Sequence, residues 1–328
     1  MVVINGASAG VGRAAAQAFA RRGARLGVLA RGREGLAATV REARQLGAPA
    51  VASARVDAAD PDAVEAAADG FEDELGPITV WVNALMTSVF APVHEITAEE
   101  HRRVLEVNYL GVVHGTLAAL RRMRPRDHGT IVQVGSALSF RGIPLQSAYC
   151  ASKHALQGFH ESLLGELRHA GSNVRTTLVH LPALNTPQFT WVRTRLPNHP
   201  QPVPPIYDPG VAARAIVHAA EHTPRQMLVG PATVATRYAN VVAPALLDRR
   251  LAATGWDDQQ TDTPIDHERW TDNLFAPADE DEDHGPRGPF GAESRSRSLQ
   301  LWAAMHKRAV AGGVLGVLGL AAAALRRR

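Results

Sequence analysis

The stretch NGASAGVG, residues 5–12, decides the fold, and it follows directly on the apolar residues 2–4. Its glycines, Gly6, Gly10 and Gly12, have the spacing G-x-x-x-G-x-G. Such a turn needs glycine for its backbone angles and for the close approach of a phosphate, whose charge the amino end of a following helix stabilises. The spacing is a variant of the dinucleotide fingerprint. The stretch therefore predicts a strand, a nucleotide-binding turn and a helix; the alternative is a glycine-rich turn without a ligand.

Outward from this turn, the chain to about residue 232 alternates short apolar runs with longer amphipathic segments. Several runs are apolar throughout, as strands covered on both faces are. This alternation predicts an α/β fold: a single Rossmann-type, doubly wound parallel sheet of about seven strands, with helices on both faces. The predicted strands are 2–4, 25–30, 50–56, 79–83, 130–135, 173–180 and 226–229. The predicted helices are 12–22, 35–46, 61–75, 98–123, 147–169 and 209–222.

The composition excludes several classes of protein. A net charge of +3, with no Lys/Arg run interleaved with aromatic residues, gives no support to nucleic-acid binding. The single cysteine, Cys150, excludes an internal disulfide and a cysteine-based metal site, and it fits a reducing, cytoplasmic compartment. The fourteen histidines are scattered without an H-E-x-x-H cluster, so we predict no metal site.

Three segments depart from the alternating pattern. Residues 182–209 contain eight prolines and cannot form a regular helix, so we predict a substrate loop or lid, with a surface linker as the alternative. Residues 233–275 are predicted to be partly helical. Residues 276–300 carry the acidic run DEDED at 279–283 and then Gly, Pro, Arg and Ser, which predicts a disordered acidic and polar linker.

The carboxyl-terminal residues 301–328 predict an apolar helix. Residues 309–325 are uncharged and are flanked on both sides by basic residues. As a helix they would span about 25 Å, against a hydrocarbon core of about 30 Å, and basic side chains at the ends can reach the interface. The hypotheses are a membrane anchor, a helix packed on a partner subunit, and a peripheral or disordered tail.

The chemistry is indicated by Tyr149-Cys-Ala-Ser-Lys153. In the predicted helix 147–169, Tyr149 and Lys153 lie one turn apart on the same face. A nearby ammonium favours the phenolate and lowers a pKa that starts near ~10. A tyrosine tuned in this way can pass a proton to a carbonyl oxygen or take one from an alcohol, and Ser136 could hold that oxygen. Alone, the pattern is also common on exposed helix faces.

Arg31 follows Ala30 at the end of the second predicted strand. An NAD enzyme would place an acid here, on the ribose 2′-hydroxyl. A guanidinium instead suits a 2′-phosphate, and Arg13 and Arg33 are close enough in sequence to help. We therefore predict NADP over NAD, with a solvated loop arginine as the alternative.

Together these motifs resemble the short-chain dehydrogenase/reductase family over about residues 1–232. The family's glycine motif, Asn-Asn-Ala-Gly motif, asparagine, serine and Tyr-x-x-x-Lys occur here in order as NGASAGVG, Val82-Asn-Ala-Leu-Met86, Asn108, Ser136 and Tyr149/Lys153. The resemblance implies that Tyr149 is the general acid/base and that Lys153 lowers its pKa and binds the nicotinamide ribose. It also implies that Ser136 orients the substrate carbonyl and that Asn108 anchors a water in the proton relay.

The resemblance further implies a cofactor-binding set. Asp57, with Ala58 beside it, matches the family's adenine-contacting acid, while Pro182 and Thr186 match the segment on the carboxamide end of the nicotinamide. Met86 stands where the family motif has glycine. The predicted set is Gly6, Ser8, Gly10, Val11, Gly12, Arg31, Asp57, Ala58, Asn83, Tyr149, Lys153, Pro182 and Thr186.

The sequence thus predicts an NADP-dependent oxidoreductase that interconverts a carbonyl and an alcohol by hydride transfer. Phe189 and Trp191 favour an apolar small-molecule substrate. The family resemblance implies a homo-oligomer, dimer or tetramer, formed through 98–123 and 147–169. The alternative hypothesis is a catalytically idle NADP-binding scaffold localised by its tail, motivated by the altered motif at 83–86.

Overall fold

A seven-stranded parallel sheet forms the centre of the computed structural model, which describes residues 1–307 and Val310. The strands are β1 (Val2–Asn5), β2 (Leu26–Ala30), β3 (Val51–Arg55), β4 (Val80–Asn83), β5 (Gly129–Ser136), β6 (Val174–Leu181) and β7 (Gln226–Leu228). Their order is β7-β6-β5-β4-β1-β2-β3, which confirms the predicted Rossmann-type sheet. The strand order reverses between β1 and β4, and sheets of this kind bind ligands at such a switch point.

Helices cover both faces of the sheet. Successive residues of a strand point to opposite faces, so Ile4 packs in one core cluster with Ile216, whereas Val3 packs in the other with Phe71. The helices are α1 (Gly10–Ala20), α2 (Arg33–Gln45), α3 (Pro61–Leu75), α4 (Ala98–Leu105), α5 (Gly111–Met123), α6 (Ser147–His169), α7 (Pro209–His222), α8 (Pro231–Val242), α9 (Pro244–Thr254) and α10 (Leu299–Met305). A π-helical turn, Glu106–Leu110, joins α4 to α5 within the helix predicted at 98–123.

The proline-rich segment 182–209 is structured without being a long helix. It contains one short 3₁₀ turn, Pro187–Thr190, and two short strands. Arg193–Thr194 pairs in parallel with Val89–Phe90, and Asn198–Pro200 pairs antiparallel with Gln260–Pro264. The segment is therefore held to the domain on one side and, on the other, to the carboxyl-terminal extension, which begins at residue 233.

The acidic segment differs from its prediction. Composition predicts a disordered linker over 276–300, but the structure lays this part of the chain against the nucleotide-binding half of the sheet. Asp283 pairs with Arg13 and Glu280 with Arg55, and Leu274, just before the segment, is fully buried. The acidic residues of this run pair with arginines that are far away in the sequence. The composition of the run alone does not contain that information.

The predicted anchor at 309–325 lies outside the described residues, except for Val310. Within residues 1–307 and Val310, none of the helices combines the length and the apolar character that a membrane crossing requires.

Candidate active site

A cavity of about 670 Å³ opens at the carboxyl edge of the sheet. It runs from the glycine turn after β1, past the ends of β4 and β5, to the segment 182–209 and helices α8 and α9. The predicted residues on its lining are Gly6, Ser8, Gly10, Val11, Arg31, Asp57, Ala58, Ser136, Tyr149, Lys153, Pro182 and Thr186. The fold therefore brings together residues predicted from six separate stretches of sequence.

The glycine turn has the geometry of a phosphate cradle. Gly6 and Gly10 have φ angles of +90° and +53°, which side chains other than glycine rarely adopt. A Cβ on Gly12 would lie 1.9 Å from the carbonyl oxygen of Gly6, so only glycine lets α1 begin this close to the turn. Gly12 therefore does not line the cavity itself but allows the close packing of α1 against the turn. Together with the amino end of α1, this turn fits the pyrophosphate of a dinucleotide.

Ser136, Tyr149 and Lys153 form a second wall of the same cavity. Ser136 ends β5, and its hydroxyl accepts a hydrogen bond from the backbone N–H of Leu138 at 3.1 Å. Tyr149 lies in the first turn of α6, and the Lys153 ammonium is 5.6 Å from the centre of its ring. Lys153 is 2% exposed, and its Nζ donates to the carbonyls of Val134 and Leu85 at 3.1 and 3.4 Å.

The pKa of Tyr149 is shifted in the direction opposite to the one expected from sequence. Burial raises it to about 12, and the neighbouring Ser136 hydroxyl offsets only part of that effect. Burial also lowers the pKa of Lys153 to about 8. Desolvation therefore dominates both shifts, and with a pKa of about 12 the Tyr149 phenol is protonated at neutral pH.

Asn108 lies in the π-helical turn between α4 and α5, fully buried. Its side-chain amide donates to the carbonyl of Thr87 at 2.8 Å and to the Ser152 hydroxyl at 3.1 Å, and its oxygen accepts from Thr87 N–H at 2.8 Å. Ser152 in turn donates to the carbonyl of Tyr149 at 2.7 Å. Asn108 thus connects the loop after β4 to the helix that carries Tyr149. π-Helical turns are frequently found at functional sites.

Asn83 was predicted to bind the cofactor, but the structure places it beneath the cavity. Its side-chain NH₂ donates to Gln133 at 3.0 Å and to Thr116 at 3.2 Å, while its oxygen accepts from the Trp81 indole at 2.9 Å. Asn83 therefore joins β4, β5 and α5 in a buried polar network. Sequence order places a residue at a strand end but does not say toward which face it points.

The end of the cavity beside β2 and β3 is the one that the family resemblance predicts to hold the adenosine, and it is named the adenosine end. Here Asp57 follows β3 and lines the cavity beside Ala58. Burial acts to raise the pKa of its carboxyl, but hydrogen bonds from Ala59 N–H and Arg103 outweigh burial and lower it. At the other side of the cleft, Thr186 packs against the turn, since a Cβ on Gly10 would lie 3.4 Å from its methyl group.

Arg31 and Arg13 are already engaged in the structure. The Arg31 guanidinium donates to the backbone carbonyls of Asn273, Leu274 and Phe275, the latter two at 3.3 Å. Arg13 is 1% exposed and pairs with Glu42 and Asp283. In this geometry it is not available to bind a 2′-phosphate, contrary to the prediction from sequence. Sequence reasoning missed the contacts with residues 273–275 and Asp283 because these partners are more than 240 positions further along the chain.

His180 is a further residue of the site that sequence reasoning missed. It lies on β6 next to the end of β5, and its Nδ1 donates to the carbonyl of Ser136 at 3.1 Å. Burial lowers its pKa to about 3, so the imidazole is neutral. Its ring packs 4.3 Å from that of Phe140. A histidine near the carboxyl end of β6, directly after the apolar Leu178 and Val179, was the available signal.

The parallel sheet, the glycine turn and the Ser136/Tyr149/Lys153 wall define the class of the protein as a nicotinamide-dinucleotide oxidoreductase. The family model described as short chain dehydrogenase matches residues 1–196. The chain belongs to the short-chain dehydrogenase/reductase family of NAD(P)-binding enzymes, which confirms the resemblance seen in the sequence.

Individual relatives are similar over different lengths. The uncharacterized oxidoreductase YxnA of Bacillus subtilis is 31% identical over 266 residues, which are 80% of this chain and 74% of the relative. The putative oxidoreductase SadH of Mycobacterium tuberculosis is 36% identical over 186 residues, or 57% of this chain and 67% of the relative. Human 17-beta-hydroxysteroid dehydrogenase 13 is 34% identical over 190 residues, or 58% and 63%.

Proposed function

We propose that the protein is an NADP-dependent oxidoreductase that interconverts a carbonyl and an alcohol, with Tyr149 as general acid/base. The observation that carries this proposal is the common wall formed by Ser136, Tyr149 and Lys153, which lines the same cavity as the glycine turn. The bound cofactor supplies or accepts the hydride, and the residues of the chain handle the proton.

The proton chemistry follows from the geometry. A Tyr149 phenol with a pKa of about 12 is protonated at neutral pH, so it suits donation to a carbonyl oxygen during reduction. The Ser136 hydroxyl orients the same oxygen and, with Tyr149, stabilises the charge that develops on it. Lys153 has two of its three N–H groups on backbone carbonyls, which leaves one for a ribose hydroxyl and places positive charge beside the phenolate that forms.

An apolar substrate is supported by the lining of the cavity beyond Tyr149. Aliphatic and aromatic side chains from four segments meet there: Phe90, Leu138, Ile143, Phe189, Trp191, Val203, Leu247 and Leu251. The human relative is named for hydroxysteroids, which are large, apolar alcohols. We propose a substrate of comparable apolar character for this chain.

The test of catalysis is Tyr149→Phe, with Tyr238→Phe as the matched control because Tyr238 is 59% exposed on α8. Oxidation of NADPH should be followed with a panel of ketones and aldehydes. We expect Tyr149→Phe to lower the rate about 10³-fold, because general acid catalysis contributes about 10²–10⁴, while cofactor binding is retained. Equal, measurable rates for Tyr149→Phe and the unmodified protein would refute the role of Tyr149, and no oxidation by either protein would favour the idle scaffold.

The choice of NADP is supported by Arg31 at the end of β2, where a guanidinium suits a 2′-phosphate. We expect Arg31→Ala to weaken NADPH binding at least about tenfold more than NADH binding, as measured by cofactor fluorescence titration. A loss that is equal for both cofactors would refute this choice.

Homo-oligomerisation through 98–123 and 147–169 also remains our proposal, by family resemblance. Leu110 and Leu117, on this helical segment, are 40% and 43% exposed, which supports an apolar contact there.

Membrane contact through residues 309–325 is proposed on the sequence alone. Sedimentation with membranes, before and after deletion of residues 309–328, tests it, and a protein that does not sediment in either form would exclude the anchor.

A further inference from the structure

The carboxyl-terminal extension crosses the adenosine end of the cavity. Leu274 anchors it in a buried cluster with Val104, and Asn273, Pro277, Ala278 and Asp279 then line the cavity. These residues lie beyond the 1–196 matched by the family model. The nucleotide site of this chain therefore has a wall that the common domain does not supply.

Asp279 is the most buried of these four lining residues. It is 6% exposed, and its Oδ1 lies 1.8 Å from where a Cβ on Gly32 would be, so the carboxylate rests against the backbone just after Arg31. Its Oδ2 lies 2.3 Å from the corresponding point on Gly35, which also faces Ser8. Within the described part of the chain, Oδ2 has no hydrogen-bond partner. A buried carboxylate without a donor is costly, so this is an unusual place for one.

The donors around Asp279 are those that a 2′-phosphate would use. The first amides of α2, on Glu34 and Gly35, donate to the Asp279 carbonyl at 3.1 and 3.4 Å, and Arg33 N–H donates to the Glu280 carboxylate at 3.2 Å. The amino end of a helix favours an anion at this point. The acidic run thus takes the helix-end amides, while the carbonyls before it take the Arg31 guanidinium.

We propose that Asp279 is a specificity-determining residue, which occupies the 2′-phosphate subsite and holds down the affinity for NADP relative to NAD. This inference deepens the proposed function and rests on its assignment of Arg31 to the 2′-phosphate. A phosphate beside Ser8, Gly32 and Arg31 would meet the Asp279 carboxylate, and two like charges cannot share that volume. NADP therefore binds only when the acidic run moves away, whereas a 2′-hydroxyl places no such demand on it.

Arg31 and Asp279 have opposite effects on the binding of a 2′-phosphate. Arg31 attracts the 2′-phosphate once its guanidinium is released from the carbonyls of residues 273–275, and Asp279 repels it. The chain thus carries its own competitor for the charged group that distinguishes the two cofactors. That competitor comes from the extension, so its effect can be separated from that of the common domain.

The test uses two ligands that differ only at the ribose, 2′,5′-ADP and 5′-ADP, bound to the full-length protein in isothermal titration calorimetry. Asp279→Asn keeps the size of the side chain and removes its charge. Glu282→Gln removes one charge from the same run at an exposed position, and it is the matched control. Thermal unfolding of each variant checks that the fold is retained.

We expect Asp279→Asn to bind 2′,5′-ADP at least about tenfold more tightly, with 5′-ADP unchanged within about twofold and Glu282→Gln close to the unmodified protein. Equal binding of 2′,5′-ADP by all three proteins would overturn the inference about Asp279 and leave the proposed function standing. Weaker 5′-ADP binding by Asp279→Asn would also overturn it, because the carboxylate would then be an acceptor for ribose hydroxyls. If no variant binds 2′,5′-ADP although 5′-ADP binds, the NADP assignment fails and the inference fails with it.

Discussion

The two ends of the cavity are built in different ways. At the catalytic end, Ser136 ends β5, and Tyr149 and Lys153 lie in the helix that follows it, so the whole wall belongs to one local unit. At the adenosine end, Arg31 meets the carbonyl of Leu274, a residue 243 positions further along the chain. The first end can be assembled from neighbouring sequence, whereas the second exists only once the chain has closed on itself.

The electrostatics of the two ends differ as well. At the catalytic end burial acts on isolated groups, raising the pKa of Tyr149 and lowering that of Lys153. At the adenosine end charges are paired: burial acts to lower the pKa of Arg13, but Glu42 and Asp283 outweigh burial and raise it. Catalysis should therefore respond strongly to pH, and the adenosine end should respond to the removal of particular charges.

The largest effect expected without a substitution at Tyr149 is the pH dependence of reduction. The pKa of Lys153 is lowered to about 8, so the ammonium to which we assign ribose binding and support of Tyr149 is lost as the pH rises through about 8. Tyr149, with its pKa of about 12, stays protonated. Initial rates at saturating cofactor should fall about tenfold for each unit above pH 8, to about a hundredth at pH 10. A flat profile to pH 10 would contradict the role given to Lys153.

Stability provides the control, because its pH dependence has the opposite sign. Between pH 8 and 9 the unfolded chain still holds the Lys153 proton that the folded protein has lost, so the free energy of unfolding should rise by roughly 1 kcal/mol. Toward pH 10 the raised pKa values of Cys150, about 11, and Tyr149, about 12, together reverse the trend, since the unfolded thiol and phenol lose their protons first. Urea unfolding at pH 8 and 9 measures this rise, and Lys153→Met should abolish it.

The accuracy of the predictions made from the sequence also differs between the two ends of the cavity. All seven strands of the sheet were predicted, because a buried parallel strand has a local signature of consecutive apolar residues. The catalytic wall was predicted because Tyr149 and Lys153 are one helical turn apart. Asn83 was misplaced because a one-dimensional pattern does not specify the face to which a strand's last side chain points. The acidic run was misjudged because its counter-charges, such as Arg13 and Arg55, are distant in sequence.

A smaller effect, on kcat, is expected from substitution of His180, which tests how Ser136 is positioned at the catalytic end. Its Nδ1 holds the backbone of Ser136, so His180→Leu should let the hydroxyl drift from the substrate oxygen and lower kcat about tenfold. The cofactor KM should not change, because His180 does not line the cavity. His180→Asn keeps an N–H donor and should recover part of the rate. Loss of kcat that is equal in both variants would indicate disturbed packing against Phe140 instead.

The smallest effect is expected at Asp281, on the acidic run itself. Its carboxylate pairs with Arg33 at 3.0 Å, but the two side chains are 87% and 55% exposed, and such surface pairs contribute at most about 1 kcal/mol. We expect Asp281→Asn to change 2′,5′-ADP affinity less than about twofold, and added salt to erase even that change. Asp279→Asn removes the same charge two positions away, but from a buried site. If the two variants gave equal changes, the acidic run would act through its net charge, and the position of Asp279 in the subsite would not matter.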